Sequence, residues 1–119
     1  MVTLEFADNN LILHIHGLAS KAFALRGTMT IPLTHIKGVR AKPTELNDFG
    51  LQIFGVGLGG LAHGYFYVPG RGIVFADHTH GGKVVAVDLE HDHYKHLYVE
   101  VEGKEAEEVV KIIQAALPH

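Results

Sequence analysis

Short apolar runs separated by turn residues fill most of this 119-residue chain, and one segment near its end changes to helical spacing. Near the start, alternating apolar residues flank Asp8-Asn9-Asn10, a pattern typical of two half-buried strands joined by a tight turn. Later runs rich in β-branched and aromatic residues favour an antiparallel meander, and they cover residues 65–68, 72–76, 84–89 and 97–101. The pattern predicts a mainly β fold of about seven strands within residues 2–101.

The predicted helix covers about residues 104–117. Its apolar residues recur at helical spacing, and they are Ala106, Val109, Val110, Ile113 and Leu117. Three glutamates fall in its first turns, where the helix dipole favours acidic side chains, and Pro118 marks its end. We expect one domain of residues 1–119, in which this helix covers an end of an open barrel or of two packed sheets.

Three stretches are harder to assign. Six glycines lie in residues 46–64, and because glycine makes a regular element costly in backbone entropy, we expect a loop there. Pro32 cannot donate to a sheet ladder, so it limits residues 28–36 to a sheet edge or a bend. Residues 22–26 fit either a short helical turn or the end of a strand.

The composition excludes several classes of function. The chain has no cysteine, which excludes disulfides and thiol catalysis, so any metal site must use histidine and carboxylate ligands. The formal net charge of -3 gives no overall attraction to nucleic acid. No apolar stretch approaches the roughly 20 residues that cross a bilayer, and no secretory signal is visible at the start, so we expect a cytoplasmic protein.

The ten histidines are the least usual feature of the composition. Three pairs have the form His-x-His, and residues two apart in an extended chain share a face, so a pair can offer two imidazoles to one Zn²⁺ or Ni²⁺. One hypothesis is therefore a metal site at His78, His80, His91 and His93. The alternative is that these are exposed surface histidines with no ligand, and no cofactor is then expected.

Charge is unevenly distributed along the chain. No acidic residue lies between Asn9 and Thr44, whereas eight of the thirteen acidic residues lie between Asp88 and Glu108. One hypothesis is that the basic region of residues 21–42 binds an anion or a lipid head group through Lys21, Arg26, Lys37 and Arg40. The alternative is that these charges lie on solvated loop ends and helix faces.

Signals for catalysis are weak. Ser20 is the one serine, and it lies outside any nucleophile-elbow motif. Residues 55–60 are glycine-rich, but no Gly-Lys-Ser/Thr and no helical pattern follow them, so they do not form a phosphate-binding loop. The residues therefore favour a non-catalytic protein.

Four segments resemble the small bacterial pleckstrin-homology-like (PH-like) proteins of uncharacterised function. They are residues 31–39, 70–77, 84–89 and 97–101, the last leading into the helix. The resemblance implies a PH-like bent antiparallel barrel of about seven strands with one C-terminal α-helix. It also implies a binding or assembly platform rather than an enzyme.

The leading interpretation is a non-catalytic PH-like module that pairs with itself or with another protein. Its expected contact is an edge strand near Pro32 or the glycine-rich segment. The alternatives are a histidine-based divalent metal-binding protein, and an anion or lipid head-group binder that would contact a membrane peripherally.

Overall fold

The computed structural model describes residues 1–24, 27–43, 51–58, 61–68, 70–90 and 92–118. The described residues form nine strands, two α-helices and two 3₁₀ turns, Leu33–His35 and Gly81–Lys83. The strands are β1 Val2–Ala7, β2 Asn10–Ile15, β3 Thr28–Pro32, β4 Ile36–Ala41, β5 Leu51–Leu58, β6 Leu61–Val68, β7 Gly72–His78, β8 Val84–Leu89 and β9 His96–Glu100, and the helices are α1 Leu18–Ala24 and α2 Ala106–Ala116.

The predicted first hairpin is confirmed. β1 and β2 pair in antiparallel fashion, and Ala7 lies opposite Asn10. The two residues between them, Asp8 and Asn9, have φ of 54° and 63°. Positive φ at both central positions is the geometry of a type I′ turn, which matches the twist of the strands it joins and suits aspartate and asparagine.

The strands form two sheets. The first has the order β1-β2-β3, and the second has the order β4-β8-β9-β7-β6-β5. An isolated bridge between Val2 and Val101 links them, so the described strands form an open structure rather than a strictly closed barrel. The mainly β fold with a C-terminal helix is confirmed, although the described part has nine strands and α1 is an additional helix.

The meander predicted for the second half is wrong in one respect. β6 pairs with β7 and β8 pairs with β9, both antiparallel, but β9 lies between β8 and β7 and runs parallel to β7. The spacing of turn residues fixes which strands can form hairpins, whereas it does not determine which hairpin edges meet. The local sequence pattern therefore could not predict the parallel pairing of β7 with β9.

The loop predicted for the glycine-rich segment is also wrong where the structure describes it. β5 and β6 form an antiparallel hairpin in which Gly55 lies opposite Gly64 and Gly57 lies opposite Ala62. The backbone hydrogen bonds of this ladder, which β7 continues, offset the entropic cost of the glycines. Residues 46–50 and 59–60 lie outside the described part of the chain.

The main hydrophobic core lies between the two sheets and α2. It includes alternate residues of β2 and β8 together with the apolar face of α2, such as Leu13, Val87, Val109 and Ile113. A second cluster uses the other face of the six-stranded sheet, and it includes Phe66, Val74, Ala86 and Tyr98. Burial on both faces explains why these strands read as continuous apolar runs.

The two helices agree with the sequence pattern to different degrees. α2 confirms the predicted C-terminal helix, with Ala106, Val109 and Ile113 buried. α1 resolves the ambiguity of residues 22–24 in favour of a helix, and residues 25–26 are not described. Within the described residues, no helix is long and apolar enough to span a membrane.

Candidate functional site

β5 lies at one end of the six-stranded sheet, and β6 is the one described strand that pairs with it. Its eight residues, Leu-Gln-Ile-Phe-Gly-Val-Gly-Leu, include neither a charged residue nor a proline. An edge strand exposes unpaired backbone N–H and C=O groups, and proteins usually protect such an edge with lysine, proline or an inward charge. β5 contains none of these three residue types, although its register against β6 shifts between Gln52 and Phe54.

The other terminal strands of the two sheets differ from β5 in this respect. β4 contains Lys37 and Arg40, β1 contains Glu5, and β3 ends at Pro32. Because proline and charged residues discourage another chain from adding a strand, these three edges are protected. Among the terminal strands that the structure describes, β5 is the one that contains neither a charged residue nor a proline.

Two exposed apolar side chains lie on β6 and β7, the first and second strands inward from β5. Tyr67 on β6 is 44% exposed and Ile73 on β7 is 40% exposed, and the two lie opposite each other in the β6–β7 ladder. Tyr67 is also opposite Leu51 of β5. We call β5, Tyr67 and Ile73 together the β5 edge surface. Among the side chains that the structure describes, which exclude those of residues 51–61, the other large hydrophobic one that is exposed is Phe6, on the three-stranded sheet.

Tyr67 and Ile73 were not predicted as surface residues from the sequence. The run Tyr65-Phe66-Tyr67 indicates packing, and Phe66 is indeed buried. One feature of the sequence could have indicated this. Consecutive residues of a strand face opposite sides of the sheet, so a run of apolar residues places some of them on each side.

A buried polar cluster joins α1 to β6 and β7. Asp77 Oδ1 lies 2.6 Å from His63 Nδ1 and accepts a hydrogen bond from Ser20 Oγ at 2.9 Å. The N-terminal ammonium of Met1 donates to the same oxygen at 3.3 Å. Ser20, His63 and Asp77 are each at most 9% exposed. The cluster therefore ties three elements together inside the protein.

The geometry of this cluster differs from that of a catalytic triad. In a triad, the histidine uses one ring nitrogen for the serine and the other for the aspartate. Here Ser20 Oγ lies 3.2 Å from His63 Nδ1, the same nitrogen that contacts Asp77. Because Ser20 also donates its proton to Asp77, the arrangement holds α1 in place and does not activate the hydroxyl as a nucleophile.

A second polar cluster joins β4, β8 and β9. Arg40 donates to both carboxylate oxygens of Asp88, and His96 Nδ1 lies 2.6 Å from Asp88 Oδ1. Burial acts to raise the pKa of Asp88, but hydrogen bonds from Arg40 and His96, together with their charges, hold that pKa below its usual range. The carboxylate therefore stays ionised and binds its two neighbours.

The residues predicted to bind an anion do not all have the same role in the structure. Arg40 is engaged by Asp88, which neutralises its charge locally. Lys21 and Lys37 are exposed on α1 and β4, and Arg26 lies outside the described residues. The anion site therefore stays a prediction, and within the described chain Arg40 has a structural role.

The predicted metal ligands are also placed differently from one another. His78 is buried, His80 is exposed and contacts Glu100, and His93 is exposed beside Tyr94. His91 lies outside the described residues. The described part of the chain contains no group of three or more histidines or carboxylates arranged to hold a metal ion. A site that includes His91 stays a prediction.

Glu100 explains the position of His80. This carboxylate is 2% exposed and accepts hydrogen bonds of 2.8 Å from the backbone N–H groups of Thr79 and His80. Its other oxygen lies 2.9 Å from His80 Nδ1. Burial acts to raise the pKa of Glu100, but these hydrogen bonds and the nearby imidazole lower it. Glu100 therefore holds the turn after β7 against β9.

Pairing with carboxylates is common among the histidines. Five of them lie 2.6–2.9 Å from an aspartate or glutamate oxygen: His14 with Glu5, His35 with Asp92, His63 with Asp77, His80 with Glu100, and His96 with Asp88. Each pair joins different segments of the chain. The sequence did not predict these pairs, because their partners lie apart along the chain and meet through strand pairing.

Comparisons with known proteins give one match. A family model described as "Bacterial PH domain" matches residues 10–95, which include β2 through β8 and the whole β5 edge surface. No curated protein matches the chain, and no solved structure matches it.

Proposed function

The chain belongs to the bacterial PH domain family, and on that premise we propose that it is a non-catalytic binding module that assembles with a protein partner through the β5 edge surface. The observation that carries this proposal is the composition of β5 together with its position at the end of the sheet. Eight residues without charge or proline form a terminal strand. An extended segment of a partner can continue the sheet there through backbone hydrogen bonds.

Tyr67 and Ile73 support the same proposal. Backbone pairing alone gives affinity with little selectivity, and side chains beside the added strand supply selectivity. Both residues are exposed and apolar, and Tyr67 lies opposite the first residue of β5. Exposed aromatic and aliphatic side chains that lose water on binding are typical of the energetic centre of an interface.

The Ser20 cluster supports a non-catalytic role. Its three side chains are buried and bind one another, so no reacting group faces solvent within this cluster. A catalytic site requires a nucleophile or base that a substrate can reach.

The test compares three variants of the full chain. The double variant Tyr67→Ser/Ile73→Thr removes the exposed apolar side chains, and Gln52→Lys places a charge on β5 at a residue that is already polar. Phe6→Ser is the matched control, because it removes an exposed apolar side chain from the other sheet.

The measurement is association, followed both as solution size and as proteins retained on the immobilised chain. We expect the double variant and Gln52→Lys to lose association, whereas Phe6→Ser retains it. Circular dichroism and thermal unfolding check that each variant is folded. Association that is unchanged in both β5 edge variants, or that is lost equally in Phe6→Ser, contradicts the proposal.

A further inference from the structure

We infer that His14 and His16 form a surface binding site for a divalent transition metal of the copper and nickel class. The site lies on the three-stranded sheet, whereas the β5 edge surface belongs to the other sheet, so the inference goes beyond the proposed function. It also differs from the metal site predicted from the sequence, because both of its histidines lie within the described part of the chain.

The two imidazoles lie on one face of the sheet, at the C-terminal end of β2. His14 lies directly opposite Thr3 in the β1–β2 ladder. His16 follows the buried Ile15, and its Nε2 lies 2.9 Å from Thr3 Oγ1. Because residues two apart in an extended chain face the same side, both rings extend from the same surface beside Thr3.

The backbone that carries the two histidines is hydrogen-bonded on both sides. β2 is the central strand of its sheet, and His14 pairs with Thr3 on β1 and with Thr28 on β3. The backbone N–H of His16 donates to the carbonyl of Met1 at 3.0 Å. A site on a fixed backbone loses little backbone entropy on binding, so its affinity depends on ordering two side chains.

Each ring has one nitrogen engaged by β1 and one nitrogen available. His14 Nε2 lies 2.6 Å from Glu5 Oε1, and because a carboxylate only accepts, this nitrogen donates and the lone pair of the neutral ring is on Nδ1. His16 contacts Thr3 through the same ring position, Nε2. Within the described residues, neither Nδ1 has a hydrogen-bond partner. Proteins commonly orient a metal-binding histidine through a carboxylate on its second nitrogen, which is the role of Glu5 here.

The charges around the pair favour a cation. The three strands of this sheet contain neither lysine nor arginine, and their one charged residue is Glu5. The side chains of His14 and Glu5 are 39% and 51% exposed. A hydrated metal ion therefore reaches the site without a change in the fold, and rotation of the exposed rings brings both of them to it.

The ligands determine the class of metal. Imidazole nitrogen suits Cu²⁺, Ni²⁺ and Zn²⁺, among which Cu²⁺ is bound most tightly, whereas Mg²⁺ and Ca²⁺ prefer oxygen ligands. The described residues contain no group of three histidines or carboxylates arranged for a metal ion. Two imidazoles therefore hold the ion, and water occupies its remaining positions.

Calorimetric titration of the untagged chain with CuSO₄, NiCl₂ or MgCl₂ measures affinity and stoichiometry. His14→Gln/His16→Gln removes both imidazoles and leaves polar side chains in their place. Thr28→Gln/Thr30→Gln is the matched control, because it introduces the same two side chains at exposed positions of the neighbouring strand. Thermal unfolding without metal checks that each variant is folded.

We expect Cu²⁺ to bind more tightly than Ni²⁺, and Mg²⁺ to give no binding. The histidine double variant should raise the dissociation constant for Cu²⁺ at least about tenfold, whereas the threonine double variant leaves it unchanged. Glu5→Gln should weaken binding by a smaller factor, since it removes only the group that orients His14. In nuclear magnetic resonance spectra, paramagnetic Cu²⁺ should first broaden the signals of Thr3, His14 and Thr28.

Cu²⁺ binding that is unchanged in the histidine double variant overturns the inference, and so does an equal loss in the two double variants. Broadening centred on His78 and His80 also overturns it, because it places the metal at the site predicted from the sequence. If the histidine double variant fails to fold, the broadening in the native chain still decides between the two sites. These outcomes do not involve the β5 edge surface, so the proposed function is tested separately.

Discussion

Arg40 binds Asp88 through two of its nitrogens, with Nε 3.0 Å from Oδ2 and Nη2 2.9 Å from Oδ1. His96 contacts the same carboxylate from β9, so the contact joins three neighbouring strands. Gly38 makes room for it, because a Cβ atom there would lie 3.3 Å from Asp88 Oδ2. The planar fork of arginine suits this geometry, and lysine cannot reproduce it.

Replacing Arg40 is expected to destabilise the fold. Arg40→Met removes both hydrogen bonds from a carboxylate that is 16% exposed, which lowers the free energy of unfolding by about 1–2 kcal/mol. Lys42→Met is the control, because Lys42 and Glu107 are each more than half exposed and such pairs contribute less than about 1 kcal/mol. Urea unfolding of the three proteins measures both changes, and equal losses would contradict the structural role of Arg40.

Stability is expected to fall in acid through Asp88 and Glu100. Both have a lowered pKa in the folded chain, so the unfolded chain binds more protons as the pH falls. Their contribution is complete above the usual range of a carboxyl pKa, and it is lost progressively below about pH 4. Unfolding free energies measured between about pH 3 and 7 check this expectation.

Glu100→Gln identifies the contribution of one group to that pH dependence. The variant is expected to lose about 1–3 kcal/mol at neutral pH, since charge-assisted hydrogen bonds to a buried group are replaced, and to show a weaker loss in acid. Glu102→Gln, at an exposed neighbouring position, should follow the native curve. If the free energy of unfolding of Glu100→Gln falls in acid as steeply as that of the native chain, the Glu100 carboxyl does not contribute to the pH dependence.

The buried Ser20 cluster is expected to stabilise the contact of α1 with β6 and β7. Ser20→Ala removes a hydroxyl that donates to the buried Asp77, so the free energy of unfolding should fall by about 1–3 kcal/mol. Thr30→Ala removes a hydroxyl from an exposed position and should change it by less than about 0.5 kcal/mol. Hydrogen exchange of α1 amides should quicken in Ser20→Ala alone.

Gly72 should tolerate a side chain less well than Gly82. Gly72 has φ of +88°, and a Cβ atom there would lie 3.1 Å from Lys95 Cγ. Because L residues rarely adopt that backbone conformation, Gly72→Ala is expected to destabilise the chain by about 1–2 kcal/mol. A Cβ at Gly82 meets nothing within 4 Å, so Gly82→Ala should be neutral or slightly stabilising. Thermal unfolding measures the stability of both variants. A Gly82→Ala variant that is less stable than Gly72→Ala would contradict this expectation.

The fold was predictable where local chemistry decides it. Asp8 and Asn9 suit the positive φ values of their turn, and the spacing of Val109 and Ile113 fixes the apolar face of α2. The glycine-rich strand β5 was not predictable, because its stability depends on pairing with β6 rather than on its own propensities.

The candidate site was predictable only in part. The sequence indicated an edge strand near Pro32 or the glycine-rich segment as a contact. It did not show that the glycine-rich segment contains a terminal strand, or that the exposed Tyr67 and Ile73 lie on the next two strands. The pairing of His63 with Asp77 had one available signal. The two residues are equidistant from Gly70, so a hairpin turning at that glycine brings them together.

The position of β9 between β7 and β8 constrains how this protein folds. The β6–β7 and β8–β9 hairpins each join strands that are close along the chain, so they form from local contacts. Joining them requires Val74 and His96 to meet in the parallel ladder, which closes a longer loop. We expect the two hairpins to form early and their docking to limit the folding rate, so that substitutions in the parallel ladder slow folding more than substitutions near either hairpin turn.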